Sequence, residues 1–398
     1  MGSQQSTTRT ALTRQSSSAA IKRHNRSLIA DYLYRHDYAT MLALEHALAL
    51  SRPTVRANLL ALQREGLVSR GERLASTGGR KAQAYAFAPS AHTALGVRLH
   101  RHHSVICAID LHGSVLAKRT LDLDYANADA FFQRIGAAVQ NFAEQLAGSG
   151  SPALGVAFSM QGLVSADARS ITFGNILGNT GLSLDTIAQS IELPCLLIHD
   201  SDASAMAELW SNDGVRDALC VYLGARPGGA VVIDGALRQG RTRRNGTIEH
   251  MTLVPGGRPC YCGQRGCMDP YCSCERLTEG DFTDLPEFFA ALRDGNAPGN
   301  ALARSRFDAW LGYLAQAIAN ARTVLCADVI LGGELAQHLN DEDLRELKSR
   351  IDGLSAFGAD EYALRFSICA PDQDVIGAAL RYVEPFVALL CGQASARA

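Results

Sequence analysis

The stretch Ile248–Cys274, "IEHMTLVPGGRPCYCGQRGCMDPYCSC", carries five of the eleven cysteines of a 398-residue chain. Cys260, Cys262 and Cys267 stand as C-x-C-x4-C, and His250 lies ten positions before the first of them. Thiolates at i and i+2 across a glycine-containing turn can face one ion, and Cys267 with His250 would complete a tetrahedron. Three Cys and one His make a closed structural zinc set, with Zn–S near 2.3 Å and Zn–N near 2.0 Å. A disulfide staple would need an oxidising compartment, and the spacing is not the C-x-x-C of a redox pair. One structural zinc per chain is therefore expected. Cys272 and Cys274 are surplus and read as packing residues, with a swapped ligand as the alternative.

A second group of reactive side chains lies in "HDSDASAMAE", where an apolar strand "CLLI" ends and a helix begins. Carboxylates at that point of an α/β fold sit where ligands bind. Asp202 could take a proton from a substrate hydroxyl, or Asp200 and Asp202 could simply cap the helix. The residues alone leave both open. Two glycine loops, "LGARPGGAVVIDG" and "LGGELA", would let backbone approach a phosphate or an adenine, although glycine at a strand end is usually only a turn.

These groups must be held by a substantial fold. The chain is 47% hydrophobic and 20% charged, with a net charge of −2, ordinary for a large globular protein. No apolar run reaches the ~20 residues of a membrane span, so no membrane partner and a cytoplasmic location are expected. The charge is unevenly placed: residues 1–90 hold 13 Lys/Arg and 5 Asp/Glu, the remainder 25 and 35. A basic front end on an acidic body points to a polyanion met by the front end alone.

Residues 1–18, rich in Ser, Thr and Gln, read as a disordered arm. From residue 19 to 90 the order is helix, short helix, a third helix opened by Ser51 and Pro53, and a hairpin with a basic tip. Thr40 is expected to cap the second helix. That order describes a winged helix-turn-helix, a DNA-binding domain. Its third helix would offer Ser51, Arg52, Thr54, Arg56 and Asn58 to the major groove, and Arg80 and Lys81 at the tip would reach phosphate. A small helical protein-interaction domain is the plainer alternative. From about Ala94 the texture is α/β, three strands followed by helix and strand, and the pattern returns after Ala218. Two similar lobes with a cleft between them are expected over residues 91–398.

In this order the pieces resemble the ROK family, which groups sugar-responsive repressors with sugar kinases. "CYCGQRGCMD" matches the family's C-x-C-G-x-x-G-C-x-[ED] zinc signature, and the front end is similar to its xylose-repressor and N-acetylglucosamine-repressor branch. The resemblance implies a winged helix-turn-helix followed by a two-lobed actin-like, ribonuclease-H-like sugar-kinase fold with a zinc loop. It also implies a ligand site of Asn175, Ser201, Asp202, Thr247, His250 and Asp269, with His250 doubling as a metal ligand. Ser201 stands where the family has Asn, and Thr247 where it has Glu. The phosphate loops depart further: Arg98 replaces the aspartate of D-[IL]-G-G-T, and Arg226-Pro227 interrupts the second loop. The implied function is a transcriptional regulator, in the repressor sense, of carbohydrate genes. It would bind operator DNA as a homodimer or dimer of dimers and respond to a sugar or sugar-phosphate effector. Asp202 would be a vestigial base rather than a working catalytic residue. An ATP-dependent sugar kinase, or a regulator governed by a protein partner, are the alternatives.

Overall fold

Ile29, Ala30 and Leu33 line one face of α1 (Gln4–Arg35) and lie against Leu44, Val55, Leu59 and Leu62 from two further helices. The protein is described from a computed structural model covering residues 4–74, 82–356, 361–369 and 372–393, with side chains described outside 4–18 and 72–74. The first unit continues with β1 (Ala39–Thr40), α2 (Met41–Leu48), α3 (Arg52–Arg64), β2 (Val68–Leu74) and β3 (Ala82–Phe87). Thr40 caps α2 as expected, its Oγ1 accepting from the Ala43 N–H at 3.1 Å. The three strands form an antiparallel sheet in the order β1-β3-β2.

The expected arm over residues 1–18 differs from the structure, in which α1 already begins at Gln4. Between Ser3 and Arg35 the chain has neither glycine nor proline. Nothing therefore stops the packed half of the helix from propagating backward through residues of middling helix propensity.

The next lobe is built from β4 (Thr93–Leu99), β5 (Ser104–Ile109), β6 (Val115–Leu121), α4 (Asp129–Gly148), β7 (Ala153–Met160), β8 (Leu163–Val164), β9 (Ile171–Phe173), α5 (Leu184–Ile187) and β10 (Cys195–His199). Its sheet runs β10-β7-β4-β5-β6, with β4, β7 and β10 parallel and the β4–β5–β6 meander antiparallel. Helix α6 (Asp200–Ser211) leads into the second lobe, which begins β11 (Ala218–Tyr222), β12 (Gly228–Ile233), β13 (Ala236–Leu237). It continues α7 (Asp269–Cys272), α8 (Cys274–Thr278), α9 (Leu285–Arg293), α10 (Asn300–Val324), β14 (Asp328–Gly332), α11 (Asp341–Leu354) and β15 (Leu364–Phe366). Its sheet, β13-β12-β11-β14-β15, repeats the first strand for strand, with the same mixture of parallel and antiparallel pairs. The duplication expected from the sequence is thus present.

The chain then returns to the first lobe through α12 (Gln373–Cys391), which lies across α6 and against β4 and β7. The crossing is very close. A Cβ on Gly377 would stand 1.7 Å from the Ala203 carbonyl oxygen, so no larger residue fits there without moving a helix. Behind the crossing, Glu208 of α6 is buried and holds β15 and the residue after it: Arg365 Nη2 lies 2.7 Å from Oε1, and Ser367 Oγ donates to Oε2 at 2.6 Å. The two lobe-to-lobe connections are therefore tied to each other.

The front unit joins this hinge pair directly. Val375, Ala378, Val383, Val387 and Leu390 of α12 belong to one buried cluster with Ile29, Leu33 and Leu59 of the front unit and Ala203 and Met206 of α6. Tyr34 of α1 donates to the Leu111 carbonyl at 3.0 Å and stacks on His112 with ring centroids 4.5 Å apart. The His112 carbonyl in turn accepts from Trp210 of α6 at 2.8 Å. Among the described residues no helix is long and apolar enough to cross a membrane.

Candidate functional site

The cysteine loop converges as the spacing predicts. The ligand atoms of His250, Cys260, Cys262 and Cys267 all lie within 4.8 Å of one another. Cys262 and Cys267 sulfurs are 3.8 Å apart, and Cys260 Sγ is 3.7 Å from His250 Nδ1. Two donors about 2.3 Å from one ion at a tetrahedral angle would stand about 3.8 Å apart, so the quartet fits a small tetrahedral cation. A disulfide between the closest pair is too short for this gap, its S–S length being about 2.0 Å. Burial pushes the Cys260 thiol up to about 12, so an ion binding here displaces protons. Burial also lowers His250, which keeps its ring neutral and able to ligate. Cys272 and Cys274 stand outside the quartet, buried in the second lobe's core with Trp310 donating to the Cys272 carbonyl.

The nitrogen of His250 that faces the cysteines is Nδ1; Nε2 points to the other side, 3.6 Å from Glu249 Oε1. On that side the carboxylates gather. Asp202, the third residue of α6, is 4% exposed and accepts from Gln239 Nε2 at 2.6 Å. It does not cap its helix; Asp200 is the one that accepts a backbone N–H, from Ser201 at 2.7 Å. Burial raises Asp202 above the usual carboxylate range, opposed by His199 and Gln239. His199 ends β10; burial works against its charge, but Asp200, Asp202 and Glu249 outweigh it and raise its pKa. Asp269 is fully buried and accepts from Arg226 Nη1 at 2.8 Å, while Arg226 also lies over the Tyr261 ring.

The remaining residues of the expected ligand set are placed separately. Asn175 is exposed and its amide donates to the Tyr261 carbonyl of the zinc-type loop at 3.4 Å, linking the first lobe to the second. Ser201 is buried close to Gly228 of β12. Thr247 spends its hydroxyl proton on the Arg244 carbonyl at 2.9 Å. Glu249, His199, Gln239 and Arg226 were not expected at this site. Glu249 could have been noticed as the one acid within "GTIEH"; the others reach it from separate loops.

At the β4 turn, Arg98 is half-buried and pairs with Asp372 at 2.7 Å and Asp374 at 3.3 Å. Lys118 adds a contact to Asp372 at 2.5 Å, and Ser159 donates to Asp374 at 3.0 Å. His100, where the phosphate loops of the resembling kinases have glycine, is half-buried, and the loss of solvent lowers its pKa to about 4. The expected departure of this loop is therefore a filled, internally paired region.

In the front unit, Ser51, Arg52 and Arg56 are exposed and Thr54 half-buried, all on the first half of α3. Ser51 pairs with Thr54 through their hydroxyls at 2.9 Å, and Arg52 lies 3.7 Å from Glu45. Asn58 corrects the expectation. It is 4% exposed, and its amide donates back to the Thr54 carbonyl at 2.9 Å. It sits between Val55 and Leu62 on the buried stripe and cannot face a groove. Arg80 and Lys81 lie outside the described residues.

The profile of the ROK family matches residues 94–354. The chain is 28% identical over 252 residues to a glucokinase of Halalkalibacterium halodurans, covering 58% of this chain and 76% of that one. It is 26% identical over 208 residues to the DNA-binding transcriptional dual regulator NagC of Escherichia coli, covering 51% of each. The alignment thus spans about half of that regulator. A solved ROK family transcriptional regulator, a homologue of the E. coli MLC protein, superimposes with a TM-score of 0.71 at 21% identity, over 93% of this chain and 98% of that one. A duplicated sheet, a Cys3His quartet and a profile covering both lobes lead to one conclusion: the chain belongs to the ROK family.

Proposed function

We propose that the protein is a sequence-specific DNA-binding regulator of transcription, acting as a repressor of carbohydrate-metabolism genes. Its front unit is read as a winged helix-turn-helix, with the exposed half of α3, carrying Ser51, Arg52, Thr54 and Arg56, entering the major groove. Two copies related by a two-fold axis would read a palindromic operator. The two-lobed domain is read as the sensor, with a sugar or sugar phosphate in a cleft lined by Asn175, Ser201, Asp202, His250 and Asp269, while Thr247, whose hydroxyl donates to the Arg244 carbonyl, closes the turn beside it.

The observation that carries this reading is the single core shared by the front unit and the hinge pair α6–α12. A ligand that prefers one lobe angle would act on the helices against which the DNA-binding unit is packed. Such a linkage typically amounts to about 1–3 kcal/mol between the two sites. Cys260, Cys262, Cys267 and His250 would hold zinc, which would supply a fixed positive centre for the loop. The protein's own contribution there is to present His250 Nε2 and Asp269 to the cleft from a fixed frame.

A sugar-kinase reading rests on Asp202, which keeps the base position. Against it, phosphoryl transfer needs positioned cations and backbone donors, and the Arg98 and His100 side chains fill that region instead. A second reading, control by a protein partner, is favoured by one observation: Gln239 and Arg226 already satisfy oxygens of Asp202 and Asp269.

The experiment is fluorescence anisotropy of labelled DNA from the region upstream of the coding sequence, at two salt concentrations and against scrambled DNA. Tight, salt-steep and sequence-selective binding is expected. Equal affinity for scrambled DNA, or none for either, would remove the regulator reading.

A further inference from the structure

In the family signature a carboxylate stands three residues before the metal-ligating histidine, and here that place is Thr247. Its hydroxyl proton closes a turn on Arg244, and it lacks the paired acceptor oxygens of a carboxylate. Two residues further on, Glu249 is 6% exposed. Its Oε2 has no hydrogen-bond partner among the described residues, and its Oε1 lies 3.6 Å from His250 Nε2, the nitrogen turned away from the cysteines. Asp269 Oδ1, fully buried, has no partner either. His199, Asp200 and Asp269 are its charged neighbours.

The backbone explains the placement. The single turn Ile248–His250 follows Gly246, which has φ +88° and packs on β12, where a Cβ would stand 2.7 Å from the Gly229 carbonyl oxygen. That contact presses the loop onto the sheet and leaves Glu249 as its inward carboxylate. An unpartnered buried carboxylate oxygen is unfavourable, and a hydroxyl donor from a ligand would offset that.

We propose that Glu249 has taken over the ligand-binding role of the lost carboxylate, its Oε2 accepting a hydroxyl of a polyhydroxylated ligand seated beside His250 Nε2. This rests on reading the cleft as a sugar site. Thr247 then contributes only to the turn, and specificity follows Glu249, whose carboxyl enters the cleft from the opposite end of the same turn.

The test is calorimetric titration of the full chain with D-glucose, N-acetyl-D-glucosamine and N-acetyl-D-mannosamine. It is repeated on Glu249→Gln, Glu249→Asp and Thr247→Val, with bound zinc per chain as the check that the loop is intact. For whichever sugar binds, Glu249→Gln is expected to weaken it by about 10–100-fold, the loss of one charge-assisted hydrogen bond. Thr247→Val is expected to change it by less than about 3-fold, since the threonine hydroxyl makes no ligand bond on this account. A deoxy analogue lacking the donated hydroxyl should lose affinity for the native chain and not for Glu249→Gln. Equal binding by native chain and Glu249→Gln, or a larger loss in Thr247→Val, overturns the assignment while leaving the sugar site standing. If Glu249→Gln loses its zinc, Glu249→Asp decides by the same criteria, with an intermediate loss expected. No binding of any of the three sugars to the native chain overturns the sugar reading and Glu249 with it.

Discussion

Two regions of the molecule have gone opposite ways. At the cysteine loop, four donor atoms converge at the spacing of a tetrahedral site, and none is used up in an ion pair with a neighbour other than the contact of His250 Nε2 with Glu249. At the β4 turn, cations and carboxylates that could have met a ligand meet each other: half-buried Arg98 and Asp372, buried Asp374 and exposed Lys118 form one paired cluster. The first arrangement could hold an ion from outside. In the second the charges pair with one another. On the proposed reading, the domain keeps a ligand-shaping loop without the charge pattern that phosphoryl transfer requires.

The largest effect is expected where the outside component is removed. Cys262→Ser, or exhaustive chelation, should strip the metal and lower the melting temperature by roughly 10 °C, as several kcal/mol at 2–4 °C per kcal/mol implies. Differential scanning calorimetry with metal analysis checks it, and an unchanged transition in metal-free protein would end the structural-metal account.

Breaking the self-contained region comes next. Arg98→Met leaves Asp374 buried without its cation, at a cost of about 3–5 kcal/mol near neutral pH. Burial already raises the Asp374 pKa, and Arg98 opposes that rise; without Arg98 the folded value climbs further above the unfolded one. A raised acid favours the folded state at low pH, and that advantage is lost as pH rises through the folded pKa. The variant should therefore lose more stability at pH 8 than at pH 5, read from urea midpoints at both.

Two smaller effects sharpen the contrast at the DNA-binding end. Arg56→Ala should weaken operator binding by about 1–3 kcal/mol if it reads a base, or shallow the salt slope by about one unit if it meets phosphate. His112→Ala, removing the ring stacked on Tyr34, should leave DNA affinity nearly intact. It should reduce the change in that affinity caused by ligand by about 0.5–2 kcal/mol, measured by titrating DNA with and without sugar.

What the sequence made readable follows from how local each signal is. The metal quartet is set by short spacing plus one histidine, and the doubled lobes by a strand pattern that occurs twice. Asn58 was misread although its position was available, since it lies three residues after Val55 and four before Leu62, on the apolar stripe. The contacts of Arg226 with Asp269 and of Gln239 with Asp202 span 43 and 37 residues. They depend on how two loops meet after folding, which no periodicity encodes. Glu249 escaped because it stands beside the residue that the signature singles out.

The measurement that tests the account most directly is DNA anisotropy of the preformed complex with labelled upstream DNA, titrated with D-glucose, N-acetyl-D-glucosamine, N-acetyl-D-mannosamine and their 6-phosphates. The account predicts that one of them shifts the dissociation constant by about 5–150-fold, the range of typical coupling free energies. Calorimetric binding of that sugar to the free protein without any change in DNA affinity would contradict it, because the shared core would then transmit nothing.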